Sequence, residues 1–273
     1  MPELPEVETV RKSLKEKLIG KKILSCEVYY DNIIEYPSIE NFKHNITNQT
    51  INDIQRQGKW LKFILDDYYL LVHLRMEGKF FFRNNNEQLY KHEHIVFKLN
   101  DNTEFRYMDV RKFGKMHLIE KENINKIGPL TKIGLEPWDD KLTISYLQEK
   151  YKNKKLPIKT ALLDQSIIAG IGNIYANEIL FASCINPTRE SSTLNNIELQ
   201  SIIDNTKIIL EKAITMGGST IHSYTSVDGV TGLFQQELLV HTRKDEPCKK
   251  CGNNIQKIII GGRGTYYCSN CQK

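Results

Sequence analysis

Near the start of the chain, apolar residues recur every three or four positions, at Leu4, Val7, Val10, Leu14 and Leu18. This spacing places them on one face of a helix, and Gly20 ends the pattern. We therefore expect an amphipathic helix that begins near Leu4 and ends before Gly20. Pro2 and Glu3 lie at its start.

A different pattern runs from Ile23 to about Glu120. Short runs rich in Val, Ile, Phe and Tyr are separated there by Asp-Asp and Asn-Asp pairs, as in WLKFILDDYYLLVHLRM and HIVFKLNDNTEFRYMDV. Such runs between turn signals are typical of strands. The sequence predicts a β-rich domain in this region, built as a two-layer sandwich.

Helical spacing returns after the segment IGPLTKIGLEPWDD, whose glycines and prolines break all periodicity. The apolar pattern then predicts helices in LTISYLQEKY, ALLDQSIIAG, ANEILFA and IELQSIIDNTKIILEKAI. A passage rich in Gly and Ser follows from Gly217 to Phe234, and we expect it to form a long, functional surface loop. We expect domains over residues 1–132, 133–236 and 237–273.

Composition narrows the class of protein. With 40% apolar and 26% charged residues, the chain has the balance of a globular domain protein. It has no run of roughly 18 apolar residues, so we expect no membrane-spanning helix. Its first residues are acidic where a secretory signal is basic and then apolar, so we expect a cytoplasmic protein. The formal net charge of +5 suits a polyanionic partner but does not require one.

The cysteines are unevenly distributed. Cys26 and Cys184 stand alone, whereas two Cys-x2-Cys pairs close the chain, formed by Cys248, Cys251, Cys268 and Cys271. Two such pairs separated by 16 residues have the spacing of a tetrahedral four-thiolate site. We expect these four residues to bind one structural zinc ion.

The segment between the cysteine pairs predicts a β-hairpin, because IQKIII and TYYC read as strands joined by a Gly-rich turn. A hairpin can enter a DNA groove, although a zinc ribbon can also serve only to hold the end of the chain in place. Arg263 lies between glycines at this turn, where its guanidinium can reach phosphates. That position favours contact with nucleic acid.

Pro2 can be interpreted in two ways. Proline fits the first turn of a helix, and the neighbouring glutamates complement the helix dipole. Alternatively, removal of Met1 leaves a secondary α-amine whose pKa is about 8, against roughly 10.4 for lysine. Such an amine is a nucleophile for C1′ of a deoxyribose. Glu3 and Lys59 would then supply proton transfer and a positive charge close to the reaction.

The opening MPELPEVETV resembles the start of the formamidopyrimidine-DNA glycosylases almost letter for letter. Further segments similar to that family follow in the family's order, namely QGKWL, HLRMEG, KHEH, MDVRKFG, LLDQSIIAGIGNIYANEILF and the terminal finger. We identify the chain on this basis as a member of the family. Met1 must be removed for the resemblance to apply to Pro2.

The resemblance implies an α+β fold with three parts: an N-terminal two-layer β-sandwich that carries an N-terminal helix, a helix-two-turn-helix domain, and a C-terminal β-hairpin zinc finger. It implies a bifunctional glycosylase and abasic-site lyase of base excision repair that excises 8-oxoguanine and formamidopyrimidines. The implied partner is double-stranded DNA with oxidised purines or abasic sites, bound between the domains. The protein is expected to act as a monomer at the bacterial nucleoid.

The resemblance also implies roles for individual residues. Pro2 matches the nucleophile that forms the Schiff base, Glu3 the proton donor, Lys59 the donor for β-elimination and Arg263 the donor for δ-elimination. The side chains that fill the space left by an extruded base correspond to Met76, Arg111 and Phe113, with Arg111 facing the cytosine opposite the lesion.

Three further residues match contacts to the DNA backbone, namely His92, Lys154 and Asn173. The Lys-rich run around Lys154 also has the character of a simple solvated surface. In AGIGNIYANE, Gly170 and Gly172 are expected to allow close backbone approach, and the helix start beside Asn173 to offer free N–H donors. The passage from Gly217 to Phe234 corresponds to the family's lesion-recognition loop.

Two other functions remain open at this point. An endonuclease VIII-type enzyme shares the proline nucleophile and the finger but prefers oxidised pyrimidines; Leu4 and MDVRKFG favour the purine enzyme. A non-catalytic zinc-containing DNA-binding protein would not need Pro2, Glu3 and Lys59 together, and all three are present.

Overall fold

The computed structural model describes residues 1–85, 87–219 and 232–273. These residues form two compact units. The first contains residues 1–2 and 6–132, and the second contains residues 3–5, 133–219 and 232–273. Most of the passage predicted to be the recognition loop, Gly217–Phe234, therefore lies outside the described residues.

The first unit contains a two-layer β-sandwich, as predicted. One sheet has four strands in the order β1 (Ile23–Val28), β7 (Glu93–Leu99), β8 (Thr103–Met108) and β6 (Lys79–Asn84). The other has five strands in the order β2 (Ile34–Tyr36), β9 (Lys115–Glu120), β5 (Tyr68–His73), β4 (Trp60–Ile64) and β3 (Asp53–Gln57). Neighbouring strands are antiparallel except β2 and β9.

The core of the first unit lies between the two sheets. Phe63 of the five-stranded sheet packs at ring-centroid distances of 6.1 Å and 6.0 Å against Phe80 and Phe105 of the four-stranded sheet. These tilted arrangements are favoured by the quadrupoles of aromatic rings. Val7 and Leu14 of helix α1 (Leu4–Leu18) belong to the same cluster, which confirms the predicted amphipathic helix.

One helix of the first unit was not predicted. Helix α2 (Ile39–Ile46) lies within the region expected to be entirely β-rich. Ser38 begins it, since the side chain accepts a hydrogen bond from the Asn41 N–H at 3.4 Å. Phe42 and Ile46 are buried, one turn apart on the same face. The serine and this short apolar spacing were its only local signals.

The second unit is helical and ends in a hairpin. Its helices are α3 (Ile144–Tyr151), α4 (Ile158–Leu162), α5 (Asn173–Ala182) and α6 (Asn196–Thr215). The longest, α6, starts with a capping box in which Asn195 and Glu198 exchange side-chain and backbone hydrogen bonds. These helices confirm the predicted helical region.

The expectation of a helix throughout ALLDQSIIAG was wrong, because α4 ends at Leu162. Beyond it, the Asp164 carboxylate accepts hydrogen bonds from the N–H and hydroxyl of Ser166 at 3.0 Å and 2.6 Å. The Gln165 side chain accepts from Gly170 N–H and donates to the Ile171 carbonyl. Side chains that bond the local backbone in this way compete with a helix, and here they hold an irregular loop.

The C-terminal hairpin pairs β10 (Gln256–Ile260) with β11 (Arg263–Tyr267). Gly261 and Gly262, with φ of +56° and +72°, form the two-residue connection. Two consecutive positive φ values are the geometry that glycine permits at a hairpin turn. The predicted hairpin is confirmed, and Arg263 is the first residue after the turn. Among the helices of the described residues, none has the length and apolar character needed to cross a lipid bilayer.

Candidate active site

Glu3 caps the start of helix α5. Its side chain is almost fully buried, with 3% exposed. One carboxylate oxygen accepts a hydrogen bond from the Ile174 N–H at 2.9 Å, and the other accepts from the Tyr175 N–H at 3.4 Å. Both donors belong to the first turn, where backbone N–H groups have no partner within the helix and the dipole favours an anion. The carboxylate is therefore fixed in position by the helix end.

Two glycines make room for this contact. A Cβ atom on Gly172 would lie 2.2 Å from the Glu3 carboxyl carbon, and one on Gly170 would lie 2.4 Å from Leu4 Cδ1. The Leu4 N–H also donates to the Gly170 carbonyl at 3.1 Å. The close approach predicted for these glycines is thus made by the chain's own residues 3 and 4.

This arrangement limits which N–H groups at the start of α5 can be donors to DNA. The donors of Ile174 and Tyr175 are already occupied by Glu3. A carboxylate at this place also adds negative charge where a phosphate would otherwise bind. The first turn of α5 therefore positions an acid through the Ile174 and Tyr175 N–H groups, and a contact of Asn173 with DNA would not use these two donors.

Asn173 connects the start of α5 to the hairpin. Its side-chain amide donates to the Gly264 carbonyl at 3.0 Å, and Gly264 follows Arg263 in β11. The Arg263 side chain is exposed. The structure thus brings Glu3 and Asn173 together at the start of α5, and Asn173 contacts the strand that carries Arg263.

Lys159 of α4 was not predicted as a site residue, yet it lies beneath this group. It is fully buried, and its ammonium donates to the Asn173 carbonyl at 3.1 Å and to the Asn177 side-chain oxygen. Burial lowers the pKa of Lys159 to about 7, while the charges of Glu3 and Glu178 oppose that shift. Lys159 follows Ile158 and comes shortly before Ala161 and Leu162, and a lysine within this largely apolar stretch was the signal that could have revealed it.

Glu178 of α5 is a second buried group that sequence reasoning missed. Its carboxylate accepts hydrogen bonds from the N–H groups of Leu239, Val240 and His241 at 2.8, 3.1 and 2.8 Å. Burial raises the pKa of Glu178, and these hydrogen bonds oppose the shift. The His241 ring contacts the Asn177 amide at 2.6 Å, and burial lowers the pKa of His241 to about 4. The segment that leads into the finger is thereby fixed to α5.

Pro2 and Lys59 belong to the first unit, and Pro2 is buried. Lys59 occupies the two-residue turn between β3 and β4 and is 6% exposed. His73 is also buried, and its Nδ1 accepts the Arg75 N–H at 3.0 Å. Burial, then the charges of Arg75 and Lys59, lower the pKa of His73 to about 3. His73 is therefore neutral at neutral pH.

The three residues predicted to fill the space of an extruded base lie on two turns of the first unit. Met76 is half-buried in a turn that the Gly78 N–H closes on the Leu74 carbonyl at 2.9 Å. Arg111 and Phe113 are exposed, and the guanidinium lies 4.8 Å from the ring centroid. That distance is within the range of a cation–π contact.

The other two predicted DNA contacts differ in their surroundings. His92 is half-buried and immediately precedes β7, with a φ of +72°. Lys154, in the second unit, forms an ion pair with Asp164 at 2.8 Å, and each side chain is 33% exposed. A phosphate would have to compete with that carboxylate for Lys154, but a half-exposed surface pair contributes little to stability.

The four C-terminal cysteines have the geometry of a zinc site. Their sulfur atoms all lie within 4.8 Å of one another, with Cys248–Cys271 at 3.9 Å and Cys251–Cys268 at 3.5 Å. Zinc–sulfur bonds of about 2.3 Å in a tetrahedron require sulfur separations of roughly 3.8 Å. The donor set fits one structural zinc ion, because four thiolates leave no position for water.

Comparison with known families accounts for most of the chain. Residues 1–116 match the formamidopyrimidine-DNA glycosylase N-terminal domain, and residues 133–225 match the helix-two-turn-helix domain of the same proteins. Residues 245–273 match the zinc finger found in FPG and IleRS. These matches support the predicted fold and the zinc ion.

Individual relatives are similar over the whole length. A formamidopyrimidine-DNA glycosylase of Bacillus licheniformis is 46% identical, and one of Shouchella clausii is 45% identical, covering 100% of this chain and at least 99% of the relative. A Lactococcus lactis FPG mutant in complex with Fapy-dG-containing DNA has a TM-score of 0.93 and 39% identity over 100% of both chains. The Lactococcus lactis Fpg in complex with DNA containing an abasic site has a TM-score of 0.92 and 39% identity over 99% of both chains.

The buried Lys159 predicts a pH dependence of stability. Its pKa is about 7 in the folded chain and near 10.5 when exposed, so between these values the unfolded chain binds more protons. The free energy of unfolding contributed by this group therefore rises with pH over that window. Urea denaturation at pH 7 and pH 9.5 should show a steeper rise for the wild type than for Lys159→Met. Parallel changes in the two proteins would show that Lys159 keeps an ordinary pKa.

Proposed function

The chain belongs to the formamidopyrimidine-DNA glycosylase family, and on that premise we propose that it excises oxidised purines from DNA and then cleaves the sugar left behind. The observation that carries this proposal is the buried Glu3 carboxylate, held by two backbone N–H groups of α5 and adjacent in sequence to Pro2. An acid fixed beside a terminal secondary amine is the arrangement that a Schiff-base glycosylase requires.

We propose that the reaction begins once Met1 has been removed. The Pro2 nitrogen forms a bond to C1′ of the damaged nucleotide while the bond from C1′ to the base breaks, and the departing base takes a proton from solvent. The Glu3 carboxylate accepts the proton that the Pro2 nitrogen loses and transfers it to the ring oxygen of the sugar, which opens the ring and leaves an iminium between Pro2 and C1′. A fraction of the amine is neutral at pH 7, because an α-amino group has a pKa of about 8.

The lyase step uses the iminium as an electron sink. Loss of a C2′ proton allows β-elimination of the 3′ phosphate, and a second elimination expels the 5′ phosphate. We assign Lys59 as the donor for the first elimination and Arg263 for the second. The burial of Lys59 and the exposed position of Arg263 after the hairpin turn support these assignments.

Recognition of damaged duplex DNA needs contacts of two kinds. Met76, Arg111 and Phe113 would replace the stacking of the extruded nucleotide, which is worth a few kcal/mol. His92, Lys154 and Asn173 would contact the sugar-phosphate backbone, which positions the protein without reading sequence. The exposure of Arg111 and Phe113 at the tip of one turn supports the first assignment.

The proposed division of labour follows the predicted domains. Residues 1–132 would carry the nucleophile and the residues that fill the vacated space, residues 133–236 the helix-two-turn-helix and recognition loop, and residues 237–273 the zinc finger. The zinc ion would hold the hairpin in shape so that Arg263 is presented correctly. The protein would act as a monomer on chromosomal DNA in the bacterial cytoplasm, at the nucleoid. This chemistry needs no further partner.

Trapping tests the identity of the nucleophile. Borohydride reduces the iminium to a stable amine, so incubation with an 8-oxoguanine duplex should leave DNA attached to residue 2 in a peptide map. A chain that retains Met1 should give no adduct, because its Pro2 nitrogen is an amide.

The substrate panel for this assay includes duplexes with formamidopyrimidines, oxidised pyrimidines and an abasic site. Oxidised purines and the abasic duplex should trap most efficiently. An adduct on a lysine would refute the assignment of Pro2, and a preference for oxidised pyrimidines would identify the endonuclease VIII-type activity instead.

Two substitutions separate the roles of Arg111 and Phe113. A guanidinium can donate to the acceptors of cytosine, whereas adenine presents an amino donor. Arg111→Ala should therefore reduce the preference for lesions opposite cytosine over lesions opposite adenine by about ten- to a hundredfold. Phe113→Ala should slow excision opposite either base, because stacking is largely indifferent to base identity. Single-turnover excision on duplexes that differ only in the opposite base measures both effects. Equal slowing of both duplexes by Arg111→Ala would contradict the assignment.

A further inference from the structure

The turn from Asp109 to Gly114 holds bulky side chains out in solvent. Val110 and Phe113 are each 49% exposed, and Arg111 is exposed beside them. Apolar groups left in water contribute nothing to folding by themselves. A turn with this sequence therefore needs internal bonds to keep one conformation.

Asp109 supplies those bonds. It is fully buried, and its two carboxylate oxygens accept hydrogen bonds from the Arg111 N–H at 3.0 Å and from the Gly114 N–H at 2.7 Å. Its backbone carbonyl also accepts the Lys112 N–H at 3.3 Å and a ring N–H of His94 at 3.0 Å. Asp109 thus bonds the turn near its start, at its middle and at its end. The middle residue is Lys112, whose φ is +58°.

Tyr107 links this turn to the one that carries Met76. It is fully buried in β8, two residues before Asp109. A Cβ atom on Gly114 would lie 1.8 Å from the Tyr107 hydroxyl oxygen, and one on Gly78 would lie 2.2 Å from it. The glycines that end the two turns therefore both pack against a single hydroxyl group.

We propose that Asp109 is a positioning residue that, together with Tyr107, fixes the turns of Met76, Arg111 and Phe113 as one preformed set. This inference rests on the proposed function, because it concerns how these side chains meet the base opposite the lesion. A set held rigidly before binding loses less conformational entropy when it enters DNA. Discrimination of the opposite base by Arg111 then depends on Asp109, which itself touches no DNA.

Asp109→Asn is the informative substitution because it keeps the size of the side chain. Only one of its two positions can accept a hydrogen bond, and its amino group would face a backbone N–H donor. At least one of the bonds to Arg111 and Gly114 is therefore lost, and the turn becomes free to open. Asp66→Asn is the matched control, since Asp66 also accepts a backbone N–H, from Thr50 at 2.7 Å, elsewhere in the same unit.

The test measures binding, independently of catalysis. Fluorescence anisotropy gives the Kd of each protein for a duplex with a tetrahydrofuran abasic analogue opposite cytosine or adenine. Asp109→Asn should reduce the cytosine preference about tenfold, which corresponds to about 1.4 kcal/mol, and Asp66→Asn should leave it unchanged. In the double variant with Arg111→Ala, the preference should fall no further than in Arg111→Ala alone, because coupled residues are not additive. An unchanged preference in Asp109→Asn, or multiplied effects in the double variant, would overturn the proposal.

A second measurement needs no DNA. Amide hydrogen exchange at Arg111 and Gly114 should accelerate at least tenfold in Asp109→Asn while exchange in β5 and β9 is unchanged. Tyr107→Phe should accelerate exchange at both Gly78 and Gly114. This variant tests the proposal if Asp109→Asn does not fold. Unchanged exchange at these amides would also overturn the proposal. If the wild type shows no cytosine preference, the role proposed for Arg111 fails, and exchange alone decides whether Asp109 fixes the turn.

Discussion

The contact on which the candidate site depends is that between the Glu3 carboxylate and the first turn of α5. A buried carboxylate is costly unless hydrogen bonds satisfy it, and here two backbone N–H groups do so at the positive end of a helix dipole. Gly172 is required because any side chain there would occupy the space of Glu3. Pro2 is covalently attached to Glu3, so its nitrogen stays within one residue of this contact.

The polar groups behind this contact form a second layer of support. Lys159 bonds the carbonyl of Asn173, and Asn173 in turn bonds the strand that follows Arg263. Glu178 holds the segment before the finger through three N–H groups. Buried polar groups that are satisfied in this way hold one arrangement firmly, because breaking any bond leaves an unpaired group in a low-dielectric interior. The proposed chemistry of Glu3 and Arg263 therefore shares one scaffold at the start of α5.

Local patterns predicted the parts of the fold that local physics decides. The spacing of Leu4 to Leu18 predicted α1, because residues one turn apart share a helix face. The two Cys-x2-Cys pairs predicted a four-sulfur cluster, because that motif is typical of a tetrahedral zinc site even when 16 residues separate the pairs. The bond from Ile174 to Glu3 spans 171 positions, and no periodicity reports such a contact. Helix α4 ended early for a similar reason, since the side chains of Asp164 and Gln165 bond a loop backbone that apolar spacing does not describe.

The dependence of the site on the Glu3 contact is tested most directly by a double-mutant cycle in urea denaturation. The backbone of Gly172 has a φ of −127°, which alanine adopts without strain, and the three atoms nearest to an added methyl group all belong to the Glu3 side chain. Gly172→Ala should lower the free energy of unfolding by at least about 1–3 kcal/mol more in the presence of Glu3 than in the Glu3→Ala background, since it displaces the capping carboxylate. The same loss of stability in both backgrounds would show that Glu3 does not occupy the start of α5, and would contradict the account.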